Sequence, residues 1–198
     1  IGAATLIENG DDRLPDFAAR LAWADKPGEL SLALLGRQVR IENAGVAASR
    51  TGWGVSAGGK LWLSEDHTAD ARFMVTYGQN IGRYVGLNFA PDAVFVPATG
   101  RLENVRLLAA IGAVRVPLSA KLRANLMGSF QSVNYANGLP PAGIATFNKR
   151  AWSAAANLFY SPIRNIDLGI EYRHGERELV NGADGAVDRM EFAAKYSF

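Results

Sequence analysis

The chain ends on the stretch Asp188-Arg189-Met190-Glu191-Phe192-Ala193-Ala194-Lys195-Tyr196-Ser197-Phe198, which decides the predicted fold. Its even-numbered residues from Met190 onward are all apolar, whereas the residues between them are mostly charged or polar. This alternation predicts a β-strand whose two faces lie in different environments. A soluble sheet would place the apolar face on a core, whereas an outer-membrane barrel would place it in lipid, with the charged face in a wet lumen. The aromatic residue that ends the strand favours the barrel, because soluble domains usually finish on a few disordered polar residues.

The composition excludes several other classes of protein. A chain of 198 residues is long enough for one domain of barrel or sandwich type. A hydrophobic content of 48% excludes disorder, and the lack of any run of about 18 apolar residues excludes a helical membrane protein. There is no cysteine, so disulfide, thiol and Cys-zinc chemistry are excluded. A net charge of +2 is too balanced to predict nucleic-acid binding.

The same alternation recurs upstream and predicts about nine strands of about 8–13 residues, close to the length of a tilted membrane strand. Short turns and longer connections alternate between these strands. The short turns (25–28, 64–69, 117–120 and 161–165) all fall at one end, taken as periplasmic, and the longer connections (43–51, 79–104, 135–149 and 181–185) at the other. Outer-membrane barrels sort their connections in this way. The sequence therefore predicts an all-β, antiparallel up-and-down transmembrane β-barrel.

Two features refine this prediction. The apolar parity changes near Gly36, which predicts a β-bulge, and residues 105–116 are apolar on both parities, so their faces are not assigned. An odd number of strands does not suit a single-chain bacterial barrel. We therefore expect residues 1–198 to be the C-terminal part of one larger barrel domain. The alternative is a strand missed within 1–15 or 79–104.

Four segments follow one another in a recognisable order: Asp11-Asp12-Arg13-Leu14-Pro15-Asp16-Phe17-Ala18-Ala19-Arg20, Gly36-Arg37-Gln38-Val39-Arg40, Tyr77-Gly78-Gln79-Asn80-Ile81-Gly82-Arg83-Tyr84, and the ending from Glu171 to Phe198. This series resembles the DcaP-like porin family of Gram-negative outer membranes. The likeness covers most of the chain and is weak between about 85 and 151. It implies a trimeric, sixteen-stranded diffusion channel of the bacterial outer membrane that prefers small anions, especially dicarboxylates.

The resemblance also implies the partners. We expect a lipid bilayer with lipopolysaccharide, further copies of the chain in a homotrimer, and barrel-assembly machinery that recognises Phe198. Neither a nucleic acid nor a cofactor is expected.

Cations exceed carboxylates on the face that parity assigns to the lumen. The cations are Arg20, Arg40, Lys60, Arg72, Arg123, Arg173, Arg177, Arg189 and Lys195, and the carboxylates are Glu42, Asp167, Glu171 and Glu191. A wet pore with excess positive charge concentrates anions. We expect Arg40, Arg72 and Arg123, placed mid-strand, to contact solute near a constriction. The alternative for each arginine is a structural ion pair across the strands. Arg83 lies in a long connection that either folds into the lumen or stays solvated.

Aromatic residues near the strand ends have outward parity, and we expect them to form two girdles at the membrane interfaces. They are Trp23, Tyr160, Tyr196 and Phe198 on the periplasmic side, and Trp53, Tyr77, Trp152 and Tyr172 on the other. The alternative is the ordinary enrichment of aromatic residues in strands.

An enzyme is not expected. Catalytic barrels need a histidine beside a nucleophile or a carboxylate. The two histidines, His67 in a short turn and His174 with outward parity near a strand end, are not placed for that purpose. No metal-ligand cluster or phosphate loop is visible either. The alternative to a porin is a structural or adhesin-like barrel with no conducting pore, which side chains or a loop filling the lumen would favour.

Overall fold

The computed structural model describes residues 12–43, 46–86 and 89–198, which form ten antiparallel strands in one sheet. The strands are β1 (Phe17–Asp25), β2 (Gly28–Asn43), β3 (Val46–Trp62), β4 (Asp70–Gln79), β5 (Ala93–Val96), β6 (Arg101–Ser119), β7 (Leu122–Tyr135), β8 (Asn148–Ile163), β9 (Ile166–Leu179) and β10 (Asp184–Tyr196). A 3-10 turn at Gly82–Tyr84 and a short helix α1 at Pro141–Ile144 complete the described elements. No helix within the described ranges is long and apolar enough to cross a membrane.

The sheet order follows the chain. Nine strands pair each with the next in a continuous path from β1 to β10, and β5 lies off this path, paired only with β6. This confirms the predicted all-β, up-and-down architecture. The count of about nine strands missed β5, whose four residues are too few to show a period of two in the sequence.

The register assigns the strand residues to two faces. One row across the sheet joins Arg20, Ala33, Ser56, Thr76, Ala109, Gln131, Ala151, Arg177 and Gly185, and we call the face that contains it the inner face. The next row starts at Leu21 and defines the outer face. That face carries exposed apolar side chains along every strand of the path, for example Leu34, Val55, Leu126 and Leu168. The alternation read from the sequence is therefore the pattern of the folded sheet.

The connections at the two ends of the strands differ in length, although less strictly than predicted. At the turn end, β1–β2, β3–β4, β6–β7 and β8–β9 are joined by residues 26–27, 63–69, 120–121 and 164–165. At the loop end the connections are residues 44–45, 80–100, 136–147 and 180–183. The loop predicted over 43–51 is wrong, because β2 and β3 continue as a hairpin of 16- and 17-residue strands. Its connecting residues 44–45 lie outside the described residues.

The β-bulge predicted at Gly36 is also wrong. The pairing of β2 with β3 runs without a shift from Gly28 opposite Leu61 to Asn43 opposite Val46. The apolar parity changes because the inner face of β2 is itself buried beyond this point. Val39 and Ile41 pack there in a small core with Phe95 of β5.

Residues 80–86 and 89–100, which we call the inward segment, fold over the inner face at the loop end. The chain turns inward at Asn80, which adopts a left-handed backbone conformation with φ of 60°, one that asparagine tolerates better than most residues. Its buried amide donates to Thr51 O (2.9 Å) and to Asn104 Oδ1 (2.9 Å), and its Oδ1 accepts from Val105 N (3.0 Å). These bonds satisfy the side chain and fix the direction in which the segment leaves β4.

Apolar packing holds the inward segment against the sheet. Ile81, Val85 and Val94 are buried in one cluster with Leu107 of β6 and Val133 of β7. Glycines make room for this contact, because a Cβ atom at Gly78 would lie 2.7 Å from Ile81 Cδ1 and 2.4 Å from Trp53 O. Small residues on the inner face of β3 and β4 therefore allow the segment to approach the backbone closely.

Candidate functional site

Eight of the nine cations that parity assigned to the lumen lie on the inner face. They are Arg20, Lys60, Arg72, Arg123, Arg173, Arg177, Arg189 and Lys195. Arg40 is the exception: the unbroken register of β2 places it on the outer face with Leu34, where its guanidinium pairs with Glu42. The predicted lumen positions of Arg40 and Glu42 are wrong, because they assumed the bulge at Gly36.

Arg72 and Arg123 do not lie mid-strand. Arg72 is the third residue of β4 and Arg123 the second of β7, both next to the turn end. The middle of the inner face is instead uncharged in β3, β4 and β7, where hydroxyl groups bond across strands. Ser56 and Thr76 lie 2.8 Å apart, and Ser129 and Ser153 lie 2.9 Å apart.

Most inner-face arginines hold a carboxylate, in agreement with the alternative that they are structural. Arg72 Nε lies 2.8 Å from Asp70, Arg123 Nη1 lies 3.1 Å from Asp167, and Arg173 Nη2 lies 3.0 Å from Glu171. Arg189 pairs with Glu191 in the same manner. These pairs fix the arginine side chains along the wall and reduce the positive charge that each presents.

Other inner-face cations have no ion pair in the described parts of the chain. They are Arg20, Arg50, Lys60, Arg177 and Lys195. The Lys60 ammonium lies 3.4 Å from the ring centroid of Trp62 in a cation–π contact, and its nearest carboxylates, Asp70 and Glu29 opposite it on β2, form no ion pair with it. An excess of positive charge therefore remains on the inner face after the structural pairs are removed.

A second charged group lies at the loop end, around Arg37. The Arg37 side chain is 0% exposed, and its Nη1 lies 2.9 Å from Asp92 of the inward segment. Asp16 and Asp12 approach the same guanidinium at 3.4 and 3.7 Å. A buried cation needs such partners, because an unpaired one would be strongly destabilising. Sequence reasoning missed Arg37, which the assumed bulge had turned to the outer face.

Arg83 completes this group. Its Nε lies 2.8 Å from Asp92 Oδ2 and its backbone N–H donates to Asp92 Oδ1 at 2.9 Å. Burial by itself raises the pKa of the Asp92 carboxyl. The hydrogen bond from the Arg83 N–H and the charges of Arg37 and Arg83 lower this pKa by more than burial raises it, so the net shift is downward. Asp92 thus stays ionised and links the inward segment to β2. The sequence had left open whether the connection that carries Arg83 folds inward, and it does.

The predicted interface aromatics lie on the outer face. Trp53 and Tyr77 contact each other edge to face with ring centroids 5.7 Å apart, and Trp152 and Tyr172 lie on β8 and β9. The predicted place near a strand end is wrong for Trp53 and Tyr172, because they are the eighth of 17 residues in β3 and the seventh of 14 in β9. Trp23, Tyr160 and Tyr196 are within three residues of the turn end of their strands, and Phe198 is fully exposed beyond β10. Their contact with the membrane interfaces stays a prediction.

The two histidines lie apart. His67 stacks on Trp62 at the turn end, with ring centroids 4.5 Å apart, whereas His174 is on the outer face with its Nδ1 2.9 Å from Asp188. No group of three or more potential metal ligands occurs in the described ranges.

Comparisons with known proteins give one clear family. The sequence model of the DcaP outer membrane protein family matches residues 8–198. The crystal structure of the outer membrane channel DcaP of Acinetobacter baumannii superposes with a TM-score of 0.79 at 24% identity, covering 100% of this chain and 56% of that chain. The chain thus spans little more than half the length of that channel. The NanC porin matches with a TM-score of 0.47 at 10% identity, over 92% of this chain and 93% of that chain. A comparison with the curated proteins gives no significant match.

The extent of the family match shows that this chain belongs to the DcaP outer membrane protein family and is located in the bacterial outer membrane.

Proposed function

We propose that the chain is part of the wall of a porin, a passive diffusion channel for small hydrophilic solutes that prefers anions such as dicarboxylates. The observation that carries this proposal is the contrast between the two faces. The outer face is apolar, as contact with lipid requires. The inner face is polar and keeps Arg20 and Arg177 without an ion pair among the described residues, while Lys60 and Lys195 interact with Asp70 and Asp167 only at longer range. Uncompensated positive charge along a wet wall concentrates anions.

The ion-paired arginines support the same preference. A guanidinium has five N–H donors and a carboxylate partner uses one or two of them, so Arg123 and Arg173 keep donors directed toward solute. Guanidinium groups take carboxylates in forked geometry. The wall therefore combines a diffuse positive potential with discrete positions for carboxylates.

A non-conducting structural barrel is the second candidate, and it requires a filled lumen. The inward segment covers the inner face at the loop end, around Leu107 and Val133. Toward the turn end the inner face stays open, with Lys60, Arg72 and Arg123 partly exposed. This arrangement favours a channel that the segment narrows over a barrel that it closes.

The partners follow from the same proposal. The apolar outer face with its aromatic residues suits a bilayer with lipopolysaccharide, and the exposed Phe198 suits recognition by the barrel-assembly machinery. We also propose assembly of the intact protein as a homotrimer, which rests on the family resemblance.

The test is the reversal potential of the intact protein in a planar bilayer under a gradient of KCl. We expect the sign that corresponds to chloride selectivity. Lys60→Gln should move the reversal potential toward zero, because it removes an unpaired inner-face charge. Lys26→Gln, a matched change in the β1–β2 turn, should leave it unchanged. A cation-selective or non-conducting wild-type protein would contradict the proposal.

A further inference from the structure

A cavity of about 560 Å³ opens at the turn end of the inner face, between the β3–β4 turn and the β6–β7 turn. Three cations line it: Arg115 of β6, Arg123 of β7, and Lys121 of the turn that connects them. The cavity is separate from the group around Arg37 at the loop end. It includes Arg123, which the sequence had placed at a mid-strand constriction and which lies instead at the turn end.

The two arginines are diagonal neighbours across the β6–β7 pair. Arg115 lies opposite Asn125, two residues along β7 from Arg123, which puts the two Cα atoms about 7–8 Å apart. Both side chains have inner parity. Two guanidinium groups on one face at this spacing can bind two separate carboxylates, one each.

Both guanidinium groups are oriented by fixed contacts. Arg115 Nη2 lies 2.8 Å from Asp70 and 3.5 Å from the carbonyl oxygen of His67. Arg123 Nη1 donates to Ser161 Oγ at 3.0 Å and to Asp167 at 3.1 Å, and its guanidinium lies 4.7 Å from the ring centroid of Phe159. Arg115 Nη1 and Arg123 Nη2 carry no hydrogen bond among the described residues, whereas Arg115 Nε is buried and not open to a ligand. The groups are preorganised and not saturated.

The charge around the cavity stays positive after the ion pairs are counted. Asp70 serves two arginines, because Arg72 Nε lies 2.8 Å from it as well. Lys121 has no ion pair among the described residues. The lining also contains one carboxylate, Asp66, whose Oδ1 accepts from Ser64 Oγ at 2.6 Å and from Thr68 Oγ1 at 2.8 Å; it keeps its charge, and the three lining cations exceed it.

We propose that this cavity is a binding site for a small dicarboxylate at the turn end of the channel, with Arg115 and Arg123 each taking one carboxylate and Lys121 adding charge at the entrance. The site deepens the proposed porin function and rests on it. A solute that leaves or enters at the turn end meets this site, so the two ends of the channel differ in their affinity for dicarboxylates.

The experiment records block of the intact protein in a planar bilayer, with succinate as the probe, added to one side at a time. A site close to the turn end is reached through little of the membrane field from that side and through most of it from the other. Block should therefore depend weakly on voltage from the turn end and steeply from the loop end. Arg123→Gln should raise the dissociation constant for block by about tenfold, the effect of one charge-assisted bond. Lys121→Gln should raise it a few-fold, and Lys26→Gln should not change it.

The outcomes separate this site from the general porin function. Equal voltage dependence from both sides, or block unchanged by both Arg123→Gln and Lys121→Gln, would overturn the site while anion-selective reversal potentials left the porin function standing. Conversely, sided block that Arg123→Gln weakens would support the site even in a channel with no overall anion selectivity. Lys121 lies in an exposed turn, so its variant tests the site even where Arg123→Gln prevents assembly.

Discussion

The most specific prediction concerns Arg37, the buried arginine that links the inward segment to β2. Arg37→Met keeps most of the side-chain volume but removes the charge that lies 2.9 Å from Asp92, a carboxylate that is only 4% exposed. Removing one partner of a buried pair costs about 3–5 kcal/mol. The lower end of this range applies here, because Asp92 keeps its ion pair with Arg83, whose Nε lies 2.8 Å away. A cost of about 3 kcal/mol lowers the ratio of docked to undocked segment on the order of a hundredfold.

Two assays report this undocking. Trypsin added outside cells that carry the intact protein should cleave after Arg83 in the Arg37→Met variant and much more slowly in the wild type. The single-channel conductance should rise, because the segment no longer narrows the pore. Arg40→Met is the matched control: Arg40 lies three residues along β2 on the outer face, and its exposed partner Glu42 keeps Arg13 at 2.9 Å, so its loss should leave the inward segment docked.

A double variant sharpens the same test. Adding Asp92→Asn to Arg37→Met removes the buried carboxylate that has lost one of its two arginines, so protease resistance should recover in part. The reasoning is refuted by an Arg37→Met protein with the conductance and the trypsin resistance of the wild type. It is also refuted by an Arg40→Met protein that undocks to the same extent.

Three further predictions test other parts of the account. Leu168→Arg places a charge on the outer face and should block assembly in the outer membrane at a cost of about 2–4 kcal/mol, whereas Asn157→Arg on the inner face should assemble normally. Equal levels of both folded proteins would contradict the difference between the faces, and assembly of Leu168→Arg alone would mean that the faces are inverted. Gly78→Val should displace the inward segment and raise conductance, because its Cβ would meet Ile81 Cδ1 at 2.7 Å, whereas Gly112→Ala meets nothing closer than 3.9 Å and should be silent. The lowered pKa of Asp92 means that its contribution to docking is present above its unfolded pKa and lost as the pH falls through the lower folded value. Conductance should therefore stay constant from pH 7 to about pH 4 and rise only below that, a transition that Asp92→Asn should lack.

The strands and their faces could be predicted because each residue of a two-sided wall meets one of two environments, and this choice is written locally with a period of two. Leu34, Leu126 and Leu168 show it directly. The prediction of faces failed where inner-face residues are covered by another segment of the chain and contact neither water nor lipid. Val39 and Ile41 are apolar on the inner face because β5 covers them, and no local pattern reveals a segment that returns from more than fifty residues away.

For the candidate site, the sequence could predict which residues lie on the inner face but not where they lie along their strands. Parity alone places Arg72 and Arg123 on the inner face. Their distance from the turn end of the sheet cannot be read from parity, because it depends on where each strand begins. The hairpin of β2 and β3 shows the same uncertainty at the loop end, because both strands extend through residues that had been assigned to a loop. Arg37 and Arg115 were missed for related reasons: one was placed on the wrong face, and the other lies in a stretch that is apolar on both parities.

The most direct test of the central claim, that alternate residues face water and lipid, uses single-cysteine variants, because this chain has no cysteine of its own. Glu191→Cys and Phe192→Cys would be made in the intact protein and treated in outer membranes with a charged, membrane-impermeant thiol reagent. We expect rapid labelling at position 191 through the aqueous pore and little at position 192, which faces lipid. Equal labelling, or faster labelling at position 192, would contradict it.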